Sequence, residues 1–343
     1  TKALKLLETL PDIPERAEQE LMVKVALGQS LMLIQGLAAP EVEKAFSRAR
    51  ELSQQVGETS QLFPPLAGLF ASYMMRGDLK TALSLGEQLL DFAERDGDPA
   101  LLLEAHHALQ AVFFHIGDFV SSRAHFEQAN ALRQPLQDPS RSSFHFGHDP
   151  AVMMLCYTPW TLGLLGYADE ALKRSDETLR LARQSARPYH QTVALSFGGW
   201  LRQHRREPRV VRERAEEELA IAREQGFAQV LASATVSCGW ALSELDQLEE
   251  GMEQMRQGIA ALRATGAELG QSYFVALLAG AYAKAGRTED GLSAIAEALA
   301  SVDRTGERFY EAELYRLKGE LTLQQRKVQR PKSERREARA VVD

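Results

Sequence analysis

Turn-forming residues recur at a nearly constant spacing along the chain, and this spacing restricts the fold more than any other feature. One set of turns, with steps of 40, 49, 40, 40 and 40, falls at Gly77, Gly117, Gly166, Arg206, Asp246 and Gly286. A second set, with steps of 40, 89, 40, 40 and 40, falls at Gly57, Gly97, Ala186, Gly226, Gly266 and Gly306. Both sets predict a repeat of about 40 residues with one insertion of nine residues between Gly117 and Gly166.

Each period holds two segments of about 20 residues, and both have the periodicity of an amphipathic helix. In residues 78–96, for example, apolar side chains recur at three- and four-residue steps. The turn Gly97-Asp98-Pro99 supplies a left-handed helix end, an N-cap and a proline for the first helical position. No segment alternates like a strand. The sequence therefore predicts an all-α fold, a right-handed solenoid of helical hairpins.

The repeat also divides the chain. Residues 15–325 are assigned to the array, with seven hairpins, one unpaired helix and an insertion loop at about 137–149. Residues 1–14 are assigned to the end of a preceding segment. Residues 326–343 carry seven Lys or Arg against three Asp or Glu, and we predict a basic tail without stable structure. We expect the chain to be a fragment of a longer polypeptide.

Composition narrows the classes of partner. The net charge of -7 argues against nucleic-acid binding. Two cysteines without CxxC spacing fit a reducing compartment, and the start of the chain lacks the apolar stretch of a signal peptide. The longest uncharged run, residues 151–168, contains Pro159 and two glycines and fits the repeat, so we expect a buried helix and not a membrane span. A cytoplasmic location is expected.

The residues at the turns carry a family resemblance. Gly286, Gly291, Ile295 and Ala298 follow the order of a turn residue, a small residue, a bulkier one and a small one. This pattern resembles the tetratricopeptide repeat, whose standard period is 34 residues. The resemblance implies that Gly199, Gly239 and Gly319 lie where helices pack closely.

Longer stretches show a closer resemblance. The segments TGAELGQSYFVALLAGAYAKAGRTEDGL and TGERFYEAELYRLKGEL resemble the C-terminal repeat region of large bacterial signalling proteins. In that family a nucleotide-cyclase-like or other effector domain and an AAA/STAND-type ATPase precede the repeats. The resemblance implies a regulatory or sensor array.

Motifs for chemistry are absent from the sequence. We find no GxxxxGK[ST], GxGxxG, HExxH or GxSxG, and therefore expect no cofactor, no metal and no catalytic site in this chain. We favour a non-catalytic module that binds a peptide, a protein segment, a small effector or upstream domains of the same polypeptide. Two alternatives stay open. One is a structural scaffold or oligomerisation array, and the other is a fragment of an adenylate- or guanylate-cyclase-like ATP-dependent enzyme whose chemistry lies upstream.

The three tryptophans, Trp160, Trp200 and Trp240, share one position of the repeat. The resemblance implies that this position faces the concave groove, where exposed indoles would form a binding surface. The same resemblance adds further groove candidates, namely His107, Phe114, Met153, Gln203, His204, Ser233, Glu244, Tyr273 and Lys284. A tightly wound array would instead let the indoles pack on one another as core, and both interpretations stay open.

The insertion places His145, His148 and Asp149 within five residues. Three such ligands could bind a metal ion if the loop brought them together. A simpler interpretation is that Asp149-Pro150 starts the next helix. Because long loops in compact arrays often bind partners, these three residues remain a candidate binding loop.

Overall fold

The computed structural model describes residues 14–56, 61–133, 149–185 and 187–329. The prediction of an all-α fold is confirmed, because these residues form fifteen helices and no strand. In chain order they are α1 Pro14–Gln35, α2 Pro40–Val56, α3 Phe63–Met75, α4 Leu79–Asp96, α5 Pro99–Ile116, α6 Phe119–Arg133, α7 Pro150–Leu164, α8 Ala168–Gln184, α9 Pro188–His204, α10 Pro208–Gln225, α11 Ala228–Glu244, α12 Leu248–Ala264, α13 Gln271–Lys284, α14 Thr288–Thr305 and α15 Glu311–Gln329.

Each turn of the first predicted set lies between the two helices of one hairpin, from the hairpin α3–α4 to the hairpin α13–α14. All six turn residues have positive φ, including the non-glycines Arg206 (56°) and Asp246 (66°). The second set separates hairpins. Gly97 (φ 79°) ends α4 with its N–H donating to the carbonyl of Ala93, and the Asp98 side chain then accepts from the N–H of Ala100. Turn chemistry therefore fixes where helices stop and start.

Several predicted segments lie outside the described residues. They are the prefix through residue 13, the insertion from 137 to 148, the turn positions Gly57 and Ala186, and residues 330–343. Helix α15 runs to Gln329, so residues 326–329 of the predicted tail are helical.

Close helix packing was predicted at three equivalent glycines. At Gly239 in α11, a Cβ atom would lie 2.6 Å from the carbonyl oxygen of Gly251 in α12, so only glycine fits this crossing. At Gly199 and Gly319, a Cβ would meet nothing within 4 Å, and the prediction was wrong for them. In α9 the crowded position is Gly198, next to the guanidinium of Arg214.

The array winds until its last repeats meet its second and third hairpins. The carbonyl of Met75, at the end of α3, accepts from the N–H groups of Glu268 (2.9 Å) and Leu269 (3.2 Å). One period later, the carbonyl of His115 accepts from Arg308 (2.7 Å) and Phe309 (3.3 Å). We call these two matching contacts the seam. They join residues far apart in sequence and close the inner side of the array.

A single large apolar core lies inside this closed turn. It extends along the chain from Met32 in α1 to Leu321 in α15, and α7, which contains most of the uncharged run, packs within it. Among the helices of the described residues, none has the length and apolar character that crossing a membrane requires.

Candidate ligand-binding interior

Two of the three tryptophans contact each other inside the array. The ring centroids of Trp160 and Trp200 are 5.6 Å apart, and both indoles pack against Tyr273, at 5.4 and 5.9 Å. Trp160 is 2% exposed and Trp240, in the same core, is 7% exposed. Repeat spacing therefore produces a row on the inner wall, and that wall is covered by other parts of the chain.

Aromatic rings from both sides of the seam pack against this row of tryptophans. Phe114 on α5 and Phe309, which precedes α15, lie 5.5 and 5.3 Å from Trp160. His204 packs edge-on against Trp160 at 5.4 Å, and Tyr310 packs edge-on against Tyr273 at 4.8 Å. Such pairs contribute about 0.5–1.5 kcal/mol each beyond the burial of their area. The aromatic interior is thus one connected cluster.

Three buried donor groups in this cluster have no hydrogen-bond acceptor among the described residues. They are the indole nitrogens of Trp160 and Trp200 and the amide nitrogen of Gln203. The amide oxygen of Gln203, by contrast, accepts from the hydroxyl of Tyr273. A buried unsatisfied donor costs about 1–3 kcal/mol. The interior therefore holds unused capacity to donate hydrogen bonds.

A buried carboxylate lies beside the aromatic cluster. Glu307 is 1% exposed, and its side chain accepts from the N–H of Gly270 and from the hydroxyl of Ser272, each at 2.8 Å. The Nδ1 atom of His115 lies 2.9 Å from the same carboxylate, and its Nε2 lies 3.4 Å from the hydroxyl of Tyr157. These contacts bind the segment before α15 to α5 and α13.

The remaining groove candidates are not all in the interior cluster. His107 is buried near Tyr157, with ring centroids 6.2 Å apart, and burial lowers its pKa to about 4, so it is neutral at pH 7. Met153 belongs to a separate small cluster of α7, α8 and α9. The hydroxyl of Ser233 donates to a carbonyl of its own helix. Glu244 forms an ion pair with Lys284 across α11 and α13.

The candidate loop is mostly outside the described part of the chain. His145 and His148 are not described, so a site that needs them stays a prediction. Asp149 is described, and its carbonyl accepts from the N–H groups of Val152 and Met153 at the start of α7. Within the described ranges, no group of three His, Cys, Asp or Glu is placed to hold a metal ion.

Sequence reasoning missed the residues that come from the far side of the seam, because no local pattern indicates closure. The missed rings from there are Phe309 and Tyr310. Tyr157 on α7 and Phe197 on α9 join the same cluster from the helices of Trp160 and Trp200, and they were also not identified. For Glu307 the repeat register gives no signal, because the same position holds Asp98 and Arg187 as well as Phe227 and Ala267.

Comparison with known proteins gives one curated relative and several solved structures. No protein-family model matches the chain. The chain is similar to an uncharacterised protein of Rhizobium meliloti (strain 1021), with 21% identity over 304 residues that cover 87% of this chain and 29% of the relative. The chain thus spans less than a third of the length of that relative.

Among solved structures, a Rap protein complexed with competence and sporulation factor has a TM-score of 0.52 and 14% identity, covering 91% of this chain and 100% of that chain. A signal transduction ATPase with numerous domains and a tetratricopeptide repeat sensor, from Pyrococcus horikoshii, has a TM-score of 0.46 and 13% identity, covering 90% and 52%. The likeness to the Rap protein shows the fold, which is a helical-repeat solenoid.

Proposed function

We propose that the array is a non-catalytic binding module that recognises a peptide, a protein segment or a small effector on its inner wall. Within a longer signalling ATPase, such binding would be reported to the upstream domains. The observation that carries the proposal is the aromatic interior with three buried donors that lack acceptors.

The chemistry of the interior suits a peptide. Peptide backbones carry a carbonyl acceptor at every residue, and the two indole N–H groups and the Gln203 amide are donors without acceptors. The surrounding rings, among them Phe114 and Tyr273, offer apolar contact to side chains. A ligand that supplied acceptors here would remove an energetic cost that the free array carries.

A solved neighbour supports the proposal at the level of fold. The Rap protein of this fold was crystallised with competence and sporulation factor bound. The fold therefore accommodates a bound factor.

Indole signals provide the direct test. Linear peptides are selected from a random display library on the full chain, and each is titrated into ¹⁵N-labelled protein, whose three tryptophans give three indole N–H signals. We expect the signals of Trp160 and Trp200 to shift. Trp200→Phe keeps a ring and removes the donor, so it should weaken binding about tenfold, which corresponds to one hydrogen bond.

Trp240→Phe is the matched control. Trp240 has the same repeat position and is buried in the same core, but its nitrogen is not among the buried donors without acceptors. Its substitution should leave affinity unchanged. Selected peptides that bind Trp200→Phe and Trp160→Phe as tightly as the unmodified chain would overturn the proposal.

A further inference from the structure

The buried carboxylate of Glu307 is held by groups that belong to other elements. Gly270 is the N-cap of α13, and Ser272 lies in the first turn of that helix. His115 is at the end of α5. We call these three donors the carboxylate cradle. His115 is 7% exposed and Ser272 is 1% exposed, so the cradle is enclosed by protein.

The cradle contacts both oxygens of the carboxylate that it holds. The first turn of a helix presents free N–H groups and the positive end of the helix dipole. One oxygen of Glu307 accepts from the Gly270 N–H and faces His115 Nδ1, and the other accepts from Ser272 Oγ. A backbone N–H, a hydroxyl and an imidazole thus converge on one carboxylate.

The occupant comes from a short non-helical segment between α14 and α15. We call residues 306–310 the strap; it begins at Gly306 with φ of 75°. The strap places Phe309 against Trp160, whose buried indole nitrogen has no acceptor. The strap thus connects the carboxylate cradle to the aromatic interior.

The seam does not need an acidic residue in order to close. One repeat earlier, Ala267 stands at the position of Glu307, and the N–H groups of Glu268 and Leu269 still bind the carbonyl of Met75. Backbone closure thus occurs in both places. What is particular to the strap is a carboxylate inserted into a set of donors that other helices supply.

We propose that the carboxylate cradle is a recognition site for the carboxylate of a ligand, and that Glu307 fills it from within the chain when no ligand is bound. The chemical class is a carboxylate group, on a small organic acid or at the C-terminus of a peptide. This inference rests on the proposed binding function and names the group that the interior recognises. Ligand and strap compete for the same donors, so binding loosens the seam.

Chemical rescue tests the cradle without knowledge of the natural ligand. Glu307→Ala removes the occupant and leaves the three donors in place. We expect the variant to melt at a lower temperature than the unmodified chain, and formate to raise its melting temperature in a saturable manner. Chloride at equal ionic strength and formamide, which is neutral, should not restore stability.

Two matched variants show whether formate acts at the cradle. Ser272→Ala combined with Glu307→Ala removes one donor and should weaken the formate effect. Glu268→Ala is the control from the seam contact one repeat before the strap, because Glu268 forms a surface ion pair with Arg304. Formate should leave the melting temperature of Glu268→Ala unchanged. If Glu307→Ala is unfolded in chloride, refolding in formate should give folded protein by circular dichroism. Equal behaviour of formate and chloride in melting and refolding overturns the inference.

A comparison of peptides distinguishes the two possible sources of the ligand carboxylate. Peptides selected as above are compared with free and with amidated C-termini. If the ligand is a peptide C-terminus, the free acid should bind Glu307→Ala about tenfold more tightly than the unmodified chain, because the internal competitor is gone, and amidation should remove this gain. If formate rescues stability and amidation has no effect, the ligand is a small acid. Peptide binding without formate rescue would leave the proposed function standing and refute the cradle.

Discussion

At the scale of single residues, two glutamates are buried inside the array. Glu218 on α10 occupies the position that holds Ala298 in α14, and Glu307 occupies the position of Ala267. Both side chains are almost completely buried, at 2% and 1% exposure. The sequence showed the repeat position of each glutamate. It did not show which neighbours bind each carboxylate, because this depends on packing between distant repeats.

Glu218 predicts a pH dependence of stability. Burial disfavours its ionised form and raises its pKa from 4.5 to about 8, against the hydrogen bond from Ser196, which lowers it. The folded chain therefore holds a proton that the unfolded chain releases above pH 4.5. Glu218 alone should therefore lower the free energy of unfolding by up to about 1.4 kcal/mol per pH unit as pH rises from 5 to 8. Buried histidines such as His107, whose pKa is lowered, act in the opposite direction below about pH 6.5. Urea denaturation across this range measures the slope.

The contribution of Glu218 is isolated by comparison of variants. Glu218→Gln cannot ionise, so the slope of its free energy of unfolding between pH 5 and 8 should be more positive than that of the unmodified chain, by up to about 1.4 kcal/mol per pH unit. Glu213→Gln changes an exposed carboxylate of the same helix and should leave the slope as it was. Equal slopes for the unmodified chain and Glu218→Gln would show that Glu218 is solvated in the folded state.

At the scale of elements, the sequence predicted most of what is found. Turn residues such as Gly97 and Gly286 set the helix ends, because their backbone angles are dictated locally. Close crossings were less predictable. Gly239 meets the carbonyl of Gly251, while Gly199, at the same register, meets nothing within 4 Å. The angle at which two helices cross depends on all the side chains between them, so a repeat position alone does not fix it.

The turn within each hairpin offers a prediction at this scale. Arg206 has φ of 56° where Gly286, at the same repeat position, has 72°. The left-handed conformation costs a residue with a Cβ atom about 1–2 kcal/mol. Glycine avoids this cost but loses about 0.5–1 kcal/mol more in conformational entropy when the chain folds. Arg206→Gly should therefore stabilise the chain by about 0.5–1 kcal/mol, measured as a shift of the urea midpoint.

Gly286→Ala is the reverse substitution in the matching turn. A Cβ at Gly286 would meet nothing within 4 Å, so only the backbone angle opposes it, and a loss of about 1 kcal/mol is expected. A stabilised Gly286→Ala would indicate that this turn does not keep its positive φ in solution.

At the scale of the whole molecule, closure is what the sequence did not predict. The 40-residue period predicted that neighbouring hairpins stack on one another. The path of the superhelix is the sum of small rotations between repeats, and no local pattern reports it. Because of this, the sequence left open whether Trp160 and Trp200 line a groove or pack as core, and the structure fills the inner wall with Phe309 and Tyr310 from the last repeat.

The seam makes a prediction about this closure. Gly77, at the seam, has φ of 74°, and a Cβ there would lie 2.7 Å from the Cγ2 atom of Thr305. Gly77→Ala thus meets both the left-handed backbone cost and a clash with a repeat far away in sequence. Gly97→Ala has the same backbone problem, with φ of 79°, but nothing within 4 Å. Gly77→Ala should lose about 1–3 kcal/mol more than Gly97→Ala in urea denaturation.

The clash can be relieved from the other side of the seam. Thr305→Ser removes Cγ2 and keeps the hydroxyl, which donates to the carbonyl of Ser301 and accepts from the N–H of Glu307. In a double-mutant cycle, Thr305→Ser should recover part of the loss caused by Gly77→Ala and none of that caused by Gly97→Ala. A coupling energy of zero between positions 77 and 305 would mean that the second hairpin and the last repeats do not touch in solution. The inner wall would then be open along its length, and Glu307 would not compete with a ligand.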